Sequence, residues 1–223
     1  MSEGTPGHQQ NLTDFLERFS RFDEATLYEA AGQRGMVDPG IRPAWPGAKV
    51  CGIAVTVACP PGDNLMLHRA VALSSAGSVI VADAGGYLRA GAWGEVLTVA
   101  AQSRGIRGLV IDGAARDMEA IAALGFPVFC RGLAIGACTK KQKGILNRTI
   151  SLGGQAVHPG DIIVGGADGV VVIEHDHAES VYNAAVERQN RELTIMQGLR
   201  EGKTTMELLG LSSYFDPGNS NES

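Results

Sequence analysis

The stretch DAGGYLRAGAWGEVLTVAAQSRGIRGLVIDGAARD, which runs from Asp83 to Asp117, decides the fold. An apolar run that begins at Ser78 leads into it, and a glycine-rich segment follows. The spacing of apolar residues in EVLTVAAQSRG predicts a helix, and GLVIDGA predicts a second strand. A strand, a helix and another strand in this order are typical of an α/β domain, in which helices cover a buried sheet.

The same alternation continues on both sides of this stretch. Upstream, VCGIAVTVAC (50–59) predicts a strand, and residues 63–75 predict a helix. After Leu146 the pattern changes to a hairpin-rich β layer with a turn at 167–169. A long amphipathic helix is expected at about 178–200. The fold class predicted is therefore α/β, with a mixed sheet flanked by N-terminal and C-terminal helices.

A chain of 223 residues suits one large domain. We expect that domain to span residues 11–214, with polar, disordered tails at 1–10 and 215–223. The N-terminus lacks the basic and apolar regions of a secretory signal, and no apolar run approaches the roughly 20 residues that span a bilayer. A cytoplasmic protein with no membrane partner is expected.

Composition narrows the function further. Hydrophobic residues make up 44% of the chain and charged residues 19%, which is enough for a packed core. Lys and Arg number 19 against 24 Asp and Glu, so the net charge of −5 argues against a nucleic-acid partner. The four cysteines form no CxxC pair and are expected to be reduced, buried thiols.

The clearest candidate site lies within the opening stretch. We expect a glycine-rich loop from Gly85 to Gly94 that leads into a helix at Glu95, where free backbone N–H groups can bind a carboxylate or phosphate. Arg116 and Asp117 follow the next strand, at the strand end where ligands of α/β proteins gather. An arginine can clamp a carboxylate, and an aspartate can hold a hard divalent cation. This combination suits a small keto acid.

Several polar residues allow a purely structural interpretation as well as a functional one. The Arg116-Asp117 pair is also compatible with a helix cap and a surface ion pair. The run TKKQKG (139–144) is expected to be a solvated loop, which disfavours a lysine Schiff-base mechanism. The sequence His175-Asp176-His177 fits a transition metal or a surface turn, and we expect the turn. Roles near a substrate are open for three further residues: His68, Asn64 and Arg89.

The chain resembles the RraA-like superfamily over about residues 25–210. Three motifs carry the resemblance, in order along the chain: PGDNLMLHRA (61–70), GxWGExLTxAAQSRGIRGLVIDGAARD (91–117) followed by FPVF, and HPGDIIVGGADGVVVI (158–173). The superfamily includes class II pyruvate aldolases acting on 4-hydroxy-4-methyl-2-oxoglutarate and 4-carboxy-4-hydroxy-2-oxoadipate. The resemblance implies a ββα sandwich related to phosphohistidine swivelling domains. It also implies a homotrimer or homohexamer with sites between subunits.

The resemblance further implies roles for individual residues. Arg116 would contact the oxygens of a 2-oxo acid substrate, and Asp117 would be the protein ligand to Mg²⁺ or Mn²⁺. Glu95 would touch the water shell of the metal, which two acidic residues of a neighbouring subunit would complete: Glu29 and Glu192. The substrate carboxylate would bind the backbone amides of one turn: Gly94, Glu95, Val96 and Leu97.

The implied reaction is retro-aldol cleavage of a 4-hydroxy-2-oxo acid to pyruvate, with the metal as the Lewis acid that stabilises the enolate. A metal-associated water linked to Glu95 would remove the C4 hydroxyl proton. Oxaloacetate decarboxylation passes through the same enolate and is expected as a companion activity. The aldolases usually have Asp where Glu95 stands, twenty intervening residues before Arg116, so the exact substrate stays open.

Two other classes compete with the lyase. One is a non-catalytic binding protein of the ribonuclease-regulator type, and the retention of Arg116, Asp117 and an acidic residue at 95 weighs against it. The other is a methyltransferase of menaquinone synthesis. It is disfavoured because the chain lacks the glycine fingerprint and following acidic residue of a nucleoside-binding fold.

Overall fold

The computed structural model describes residues 14–215. Its helices are α1 (14–20), α2 (Glu24–Ala30), α3 (Leu65–Leu73), α4 (Glu95–Gln102), α5 (Met118–Ala123), α6 (Ala178–Arg200) and α7 (Thr205–Leu208). Short 3₁₀ helices span His175–His177 and Leu211–Phe215. The strands are β1 (Arg42–Pro43), β2 (Val50–Ala58), β3 (Ser78–Trp93), β4 (Gly108–Ala115), β5 (Val128–Leu133), β6 (Ile145–Leu146), β7 (Ile150–Leu152), β8 (Gln155–Val157), β9 (Ile162–Gly165) and β10 (Val170–Ile173).

The main sheet has eight strands in the order β1-β5-β4-β3-β2-β9-β10, and β6 pairs with β2 beside β9. The four central strands, β2 to β5, run parallel to one another and are connected by α3, α4 and α5. The remaining strands pair in antiparallel fashion. The sheet is therefore mixed, and its parallel centre brings the carboxyl ends of β3 and β4 together.

The segment before β1 nearly closes the sheet. Met36 forms an antiparallel bridge with Val171 of β10, and the Val37 N–H donates to the Val170 carbonyl at 3.1 Å. A few residues later Arg42 pairs with Cys130 of β5, at the opposite end of the sheet. Residues 36–43 thus contact β10 at one end of the sheet and β5 at the other.

Alternation along the central strands divides the core between two faces. In β3, Ile80 and Ala82 pack under helices α3, α4 and α5, whereas Val79 and Val81 pack toward the separate β7–β8 hairpin. All four side chains are fully buried. Burial on both faces explains why these strands read as continuous apolar runs in the sequence.

The terminal helices cover the antiparallel end of the sheet. Phe19 and Phe22 each meet the ring of Tyr182 from α6 edge-on, with centroids 5.8 Å apart. Buried residues of β9 and β10, including Ile162 and Val171, complete this third cluster. The predicted flanking helices are confirmed, and the long α6 has the predicted bounds.

The predicted α/β class is confirmed, but the glycine-rich loop is wrong. Residues from Gly85 to Trp93 continue β3 to a length of 16 residues, and only Gly94 lies beyond the strand. Gly85 and Gly86 have φ of +66° and +65°, and the register against β4 shifts there. The extra residues are absorbed as bulges, which glycine permits without steric cost.

The predicted tails lie almost wholly outside the described residues. Residues 1–10 are not described. Of the C-terminal stretch 215–223, only Phe215 is described, and it ends the second 3₁₀ helix.

Candidate active site

A buried tryptophan fixes the first turn of α4. Trp93 ends β3, is fully buried, and stacks on Phe126 with ring centroids 6.0 Å apart. Its indole Nε1 donates to Thr98 Oγ1 at 2.8 Å, and this hydroxyl donates to the Gly94 carbonyl at 3.2 Å. Gly94 is the N-cap residue of α4. These contacts set the direction in which the N–H groups of the first turn point.

The predicted Arg-Asp pair lies directly against this turn. The Arg116 N–H donates to the Trp93 carbonyl at 2.8 Å, and Asp117 Oδ2 accepts from the Glu95 N–H at 3.1 Å. Asp117 has the left-handed backbone conformation, with φ of 58° and ψ of 37°. Few residues besides glycine tolerate it, and aspartate is one of them. The Arg116 Nε lies 3.5 Å from the same Asp117 oxygen.

Gly94 is required by space and not by backbone conformation. Its φ of −151° is extended and open to any residue. A Cβ at this position would clash with Asp117 Oδ2 and would lie 3.1 Å from Arg116 Cγ and Nε. The absence of a side chain at Gly94 therefore lets both functional groups approach the start of the helix.

A pocket of about 150 Å³ opens beside this turn. The structure brings five of the predicted site residues onto its walls: Gly94, Val96, Leu97, Arg116 and Asp117. Three further polar side chains line the same pocket: Asn64, His68 and Lys140. An arginine, a lysine and a helix start around so small a volume favour an anionic ligand.

Two polar atoms at this pocket lack hydrogen-bond partners in the described chain: Asn64 Oδ1 and His68 Nε2. Asn64 is 7% exposed and uses its Nδ2 to donate to the Ala92 carbonyl at 2.9 Å. Burial, and secondly the charge of Lys140, lowers the pKa of His68 and so favours the neutral imidazole. Leaving buried polar atoms unpaired is costly, so we infer that a ligand or water completes them.

Lys140 is exposed in an irregular segment, as the predicted solvated loop requires, and it also lines the pocket. The segment that carries it is tied to the start of α3 by the buried carboxylate of Asp63. Burial alone would raise the pKa of Asp63. Hydrogen bonds, led by the Lys141 N–H and the Thr139 hydroxyl, outweigh burial and hold the pKa well below its usual range.

Acid is therefore expected to weaken the fold through Asp63. Below about pH 4 the unfolded chain binds a proton at this position that the folded protein does not, so stability falls as the pH falls. This one group can contribute a slope of up to about 1.4 kcal/mol per pH unit. Urea unfolding from about pH 5 to about pH 3 should show a shallower pH dependence in Asp63→Asn. An unchanged slope in that variant would contradict the assignment.

Other predicted site residues are not among those that line the pocket. The Glu95 side chain is exposed, and the residue reaches Asp117 through its backbone N–H. Glu29 and Glu192 both pair with Arg188, between α2 and α6, with Arg188 Nε 3.0 Å from Glu192 Oε1. Arg89 is exposed in β3.

The weaker metal candidate has the predicted surface-turn geometry. Residues His175–His177 form an exposed 3₁₀ turn, in which His177 Nδ1 lies 3.2 Å from Glu174 Oε2. The cysteines are free thiols, as predicted, and all but the half-buried Cys138 are also buried. Over residues 14–215, no helix is long and apolar enough to cross a bilayer. The same residues contain no group of three or more His, Cys, Asp or Glu side chains placed to hold a metal ion.

The fold and the pocket define an α/β protein whose candidate site joins a helix start to an Arg-Asp pair at a strand end. Known proteins share this architecture. A Halalkalibacterium halodurans protein named "Putative 4-hydroxy-4-methyl-2-oxoglutarate aldolase" is 39% identical over 176 residues, covering 79% of this chain and 84% of that protein. The family model described as Aldolase/RraA matches residues 21–172, and the chain belongs to this RraA-like family.

Solved structures share the fold. An uncharacterized Pseudomonas syringae protein has a TM-score of 0.79 and 28% identity, covering 88% of this chain and 96% of its own. A Streptomyces coelicolor protein, described as an unusual member of the RNase ES inhibitor RraA family, has a TM-score of 0.74 at 24% identity. It covers 88% of this chain and 99% of its own, and at that identity the likeness shows the fold alone.

Proposed function

We propose that the protein is a divalent-metal-dependent lyase that cleaves a 4-hydroxy-2-oxo acid, of the 4-hydroxy-4-methyl-2-oxoglutarate type, to pyruvate. The same site would decarboxylate oxaloacetate, because both reactions develop the same enolate charge. The observation that carries the proposal is the convergence of Arg116, Asp117 and the first turn of α4 on one pocket. The name of the Halalkalibacterium relative supports the substrate class.

The start of α4 supplies N–H groups for the C1 carboxylate of the substrate. First-turn N–H groups have no acceptor within their own helix, and the helix dipole favours negative charge there. Val96 and Leu97 line the pocket and provide such groups, whereas the Glu95 N–H already donates to Asp117. We assign the substrate carboxylate to Val96 and Leu97.

Arg116 is assigned to the keto oxygen. Its side-chain stem lies over Gly91, where an added Cβ would come within 2.8 Å of Arg116 Cβ. Its Nε lies 3.5 Å from Asp117 Oδ2, and both residues line the pocket. A fixed positive charge next to the keto oxygen stabilises the negative charge that develops there during cleavage. The planar fork can hold two substrate oxygens at once.

The donor set fits a hydrated Mg²⁺ or Mn²⁺ ion. Such ions bind one or two carboxylates and fill their remaining positions with water and substrate oxygens. Asp117 offers one carboxylate on the pocket wall, and its side chain is 41% exposed although Oδ2 accepts from Glu95. When bound, the metal supplies Lewis-acid stabilisation of the keto oxygen.

Two groups near the pocket are suited to proton transfer. We assign the exposed Glu95 carboxylate, at the start of α4, as the acceptor of the C4 hydroxyl proton. His68 presents Nε2 without a protein partner, and its lowered pKa keeps the ring neutral and able to exchange a proton. We therefore assign His68 to the relay that returns this proton to C3 of the pyruvate enolate once the C3–C4 bond has broken.

The proposal includes assembly as a homotrimer or homohexamer with the site between subunits. Glu29 and Glu192 support this part, because both bind one guanidinium, that of Arg188, and remain about 40% exposed. Two carboxylates held together at a surface can approach the pocket of a neighbouring subunit as one unit. They would complete the water shell of its metal ion.

The proposal is tested by pyruvate release from 4-hydroxy-4-methyl-2-oxoglutarate and from oxaloacetate, with Mg²⁺ or Mn²⁺ and again with EDTA. Metal-dependent pyruvate from either substrate is the expected result. The ratio of the two rates separates aldolase from decarboxylase. No release from either substrate would refute the lyase, and a ribonuclease-regulator role would then be tested by capturing the ribonuclease partner.

The Arg116→Lys variant is expected to reduce kcat/KM by about a hundredfold in the same assay. Lysine keeps the charge but loses the two-pronged geometry. The matched control is Arg89→Lys, because Arg89 is an exposed arginine of the preceding strand that does not line the pocket. Equal losses in both variants would show that Arg116 has no special place in the site.

A further inference from the structure

Asp63 lies between β2 and α3 and is 2% exposed. Its carboxylate accepts hydrogen bonds from two segments that are distant in the sequence. Oδ1 accepts from the Leu65 N–H at 2.9 Å. Oδ2 accepts from the Thr139 hydroxyl at 2.6 Å, from the Lys141 N–H at 2.7 Å and from the Gln142 N–H at 3.1 Å. One carboxylate thus joins the start of α3 to the segment that follows β5.

Backbone hydrogen bonds reinforce the same junction. The Asn64 N–H donates to the Thr139 carbonyl at 3.0 Å, and the Thr139 N–H donates to the Gly62 carbonyl at 2.9 Å. The groups that donate to Asp63 are all uncharged. The carboxylate therefore holds the segment without engaging the ammonium of Lys140, a residue that lines the pocket.

Lys140 lies between two of the residues that Asp63 holds, Thr139 and Lys141. Its side chain lines the pocket together with Arg116, and its charge contributes to the lowered pKa of His68. A lysine on a mobile loop loses conformational freedom when it binds a ligand, and this loss weakens binding. A lysine whose backbone is already fixed avoids part of that loss.

We propose that Asp63 is a positioning residue that holds Lys140 over the pocket, where its ammonium binds the second carboxylate of a dicarboxylic 2-oxo acid. This inference rests on the proposed function for its substrate class. Asp63 itself is too deeply buried to touch the substrate. Its effect on binding passes through the hydrogen bonds to the segment that bears Lys140.

Two ligands that cannot be cleaved separate binding from turnover. 2-Oxoglutarate has both carboxylates but no C4 hydroxyl, and pyruvate lacks the second carboxylate. Calorimetry would give both dissociation constants for wild type, Asp63→Asn, Lys140→Met and the double variant. We expect each single variant to raise the dissociation constant of 2-oxoglutarate about tenfold and to change that of pyruvate less than threefold. Lys143→Met, in the same run of lysines but off the pocket, should resemble wild type.

The double variant decides whether Asp63 acts through Lys140. If it does, Asp63→Asn adds no further loss once Lys140 is Met, and KM for the cleaved substrate rises while kcat changes little. The proposal would be overturned if the losses of affinity in the two single variants multiplied in the double variant, or if kcat fell at constant KM. Thr139→Val is the milder second variant, because it removes one donor and leaves the carboxylate in place. Thr139→Val should also weaken the binding of 2-oxoglutarate.

Amide hydrogen exchange tests the junction without any activity. In wild type the Lys141 and Gln142 amides should be protected, and in Asp63→Asn they should exchange at least about tenfold faster. Equal exchange in both proteins would refute the positioning role. Failure of pyruvate release with faster exchange and weakened 2-oxoglutarate binding would refute the lyase and leave the positioning role intact.

Discussion

Pyruvate release by the Asp117→Asn variant is expected to fall about a thousandfold below that of wild type, because a neutral amide binds a divalent cation far more weakly than a carboxylate does. The remaining activity should no longer respond to Mg²⁺ or EDTA. Asparagine has the size of aspartate and tolerates the left-handed conformation found here, with φ of 58°. The fold should therefore survive, and thermal unfolding within a few degrees of wild type would confirm it.

Alanine is a poorer choice at position 117. It would remove the carboxylate and also place a residue that disfavours positive φ at the junction of β4 and α5. A loss of activity in Asp117→Ala would thus mix chemistry with backbone strain. Full metal-dependent activity in Asp117→Asn would remove Asp117 from the site.

The Gly94→Ala variant is expected to lose about a hundredfold in kcat/KM, although position 94 carries no functional group. The added methyl would clash with Asp117 Oδ2 and press on the Arg116 side chain. Both groups must then move by a distance comparable to the tolerance of a catalytic site. Because the backbone at Gly94 is extended, the substitution introduces no backbone strain. Steady-state kinetics combined with thermal unfolding measures this separation of activity from stability.

Gly132→Ala in β5 is the matched control. A Cβ there would meet only Leu88 Cδ2, at the ordinary distance of 3.4 Å. The activity of this variant should stay within about threefold of wild type. If Gly94→Ala were as active as the control, the close approach of Asp117 to the helix start would have no part in function.

The predicted strands and helices that proved correct share one property. Their pattern is local: Val79 to Ala82 is a continuous apolar run because both faces of the sheet are covered. The segment from Gly85 to Trp93 looked like a loop because glycine is rare in strands. The segment is a strand because it pairs with β4, which lies later in the chain. Composition alone does not reveal such a pairing.

The candidate site was partly visible in the sequence for the same reason. Arg116 and Asp117 follow a recognisable strand, and Glu95 begins a recognisable helix. Lys140 was missed because its place depends on hydrogen bonds to Asp63, which lies 76 residues before Thr139. The sequence did carry a signal for the other polar residues of the pocket. Asn64, which caps α3, and His68 within α3 are four residues apart, and this spacing puts two polar groups on one face next to apolar neighbours.

Residues 36–43, which contact β10 and β5, also protect the edges of the sheet from pairing with another copy of the chain. An unpaired strand at the margin of a sheet is a template for chain-to-chain pairing and for fibres. Here Val37 bonds to β10, and Arg42 and Pro43 lie beside β5. Pro43 has no N–H to offer an incoming strand. One short segment thus covers both edges of the sheet. Copies of the chain should therefore contact one another through side chains and not through exposed backbone.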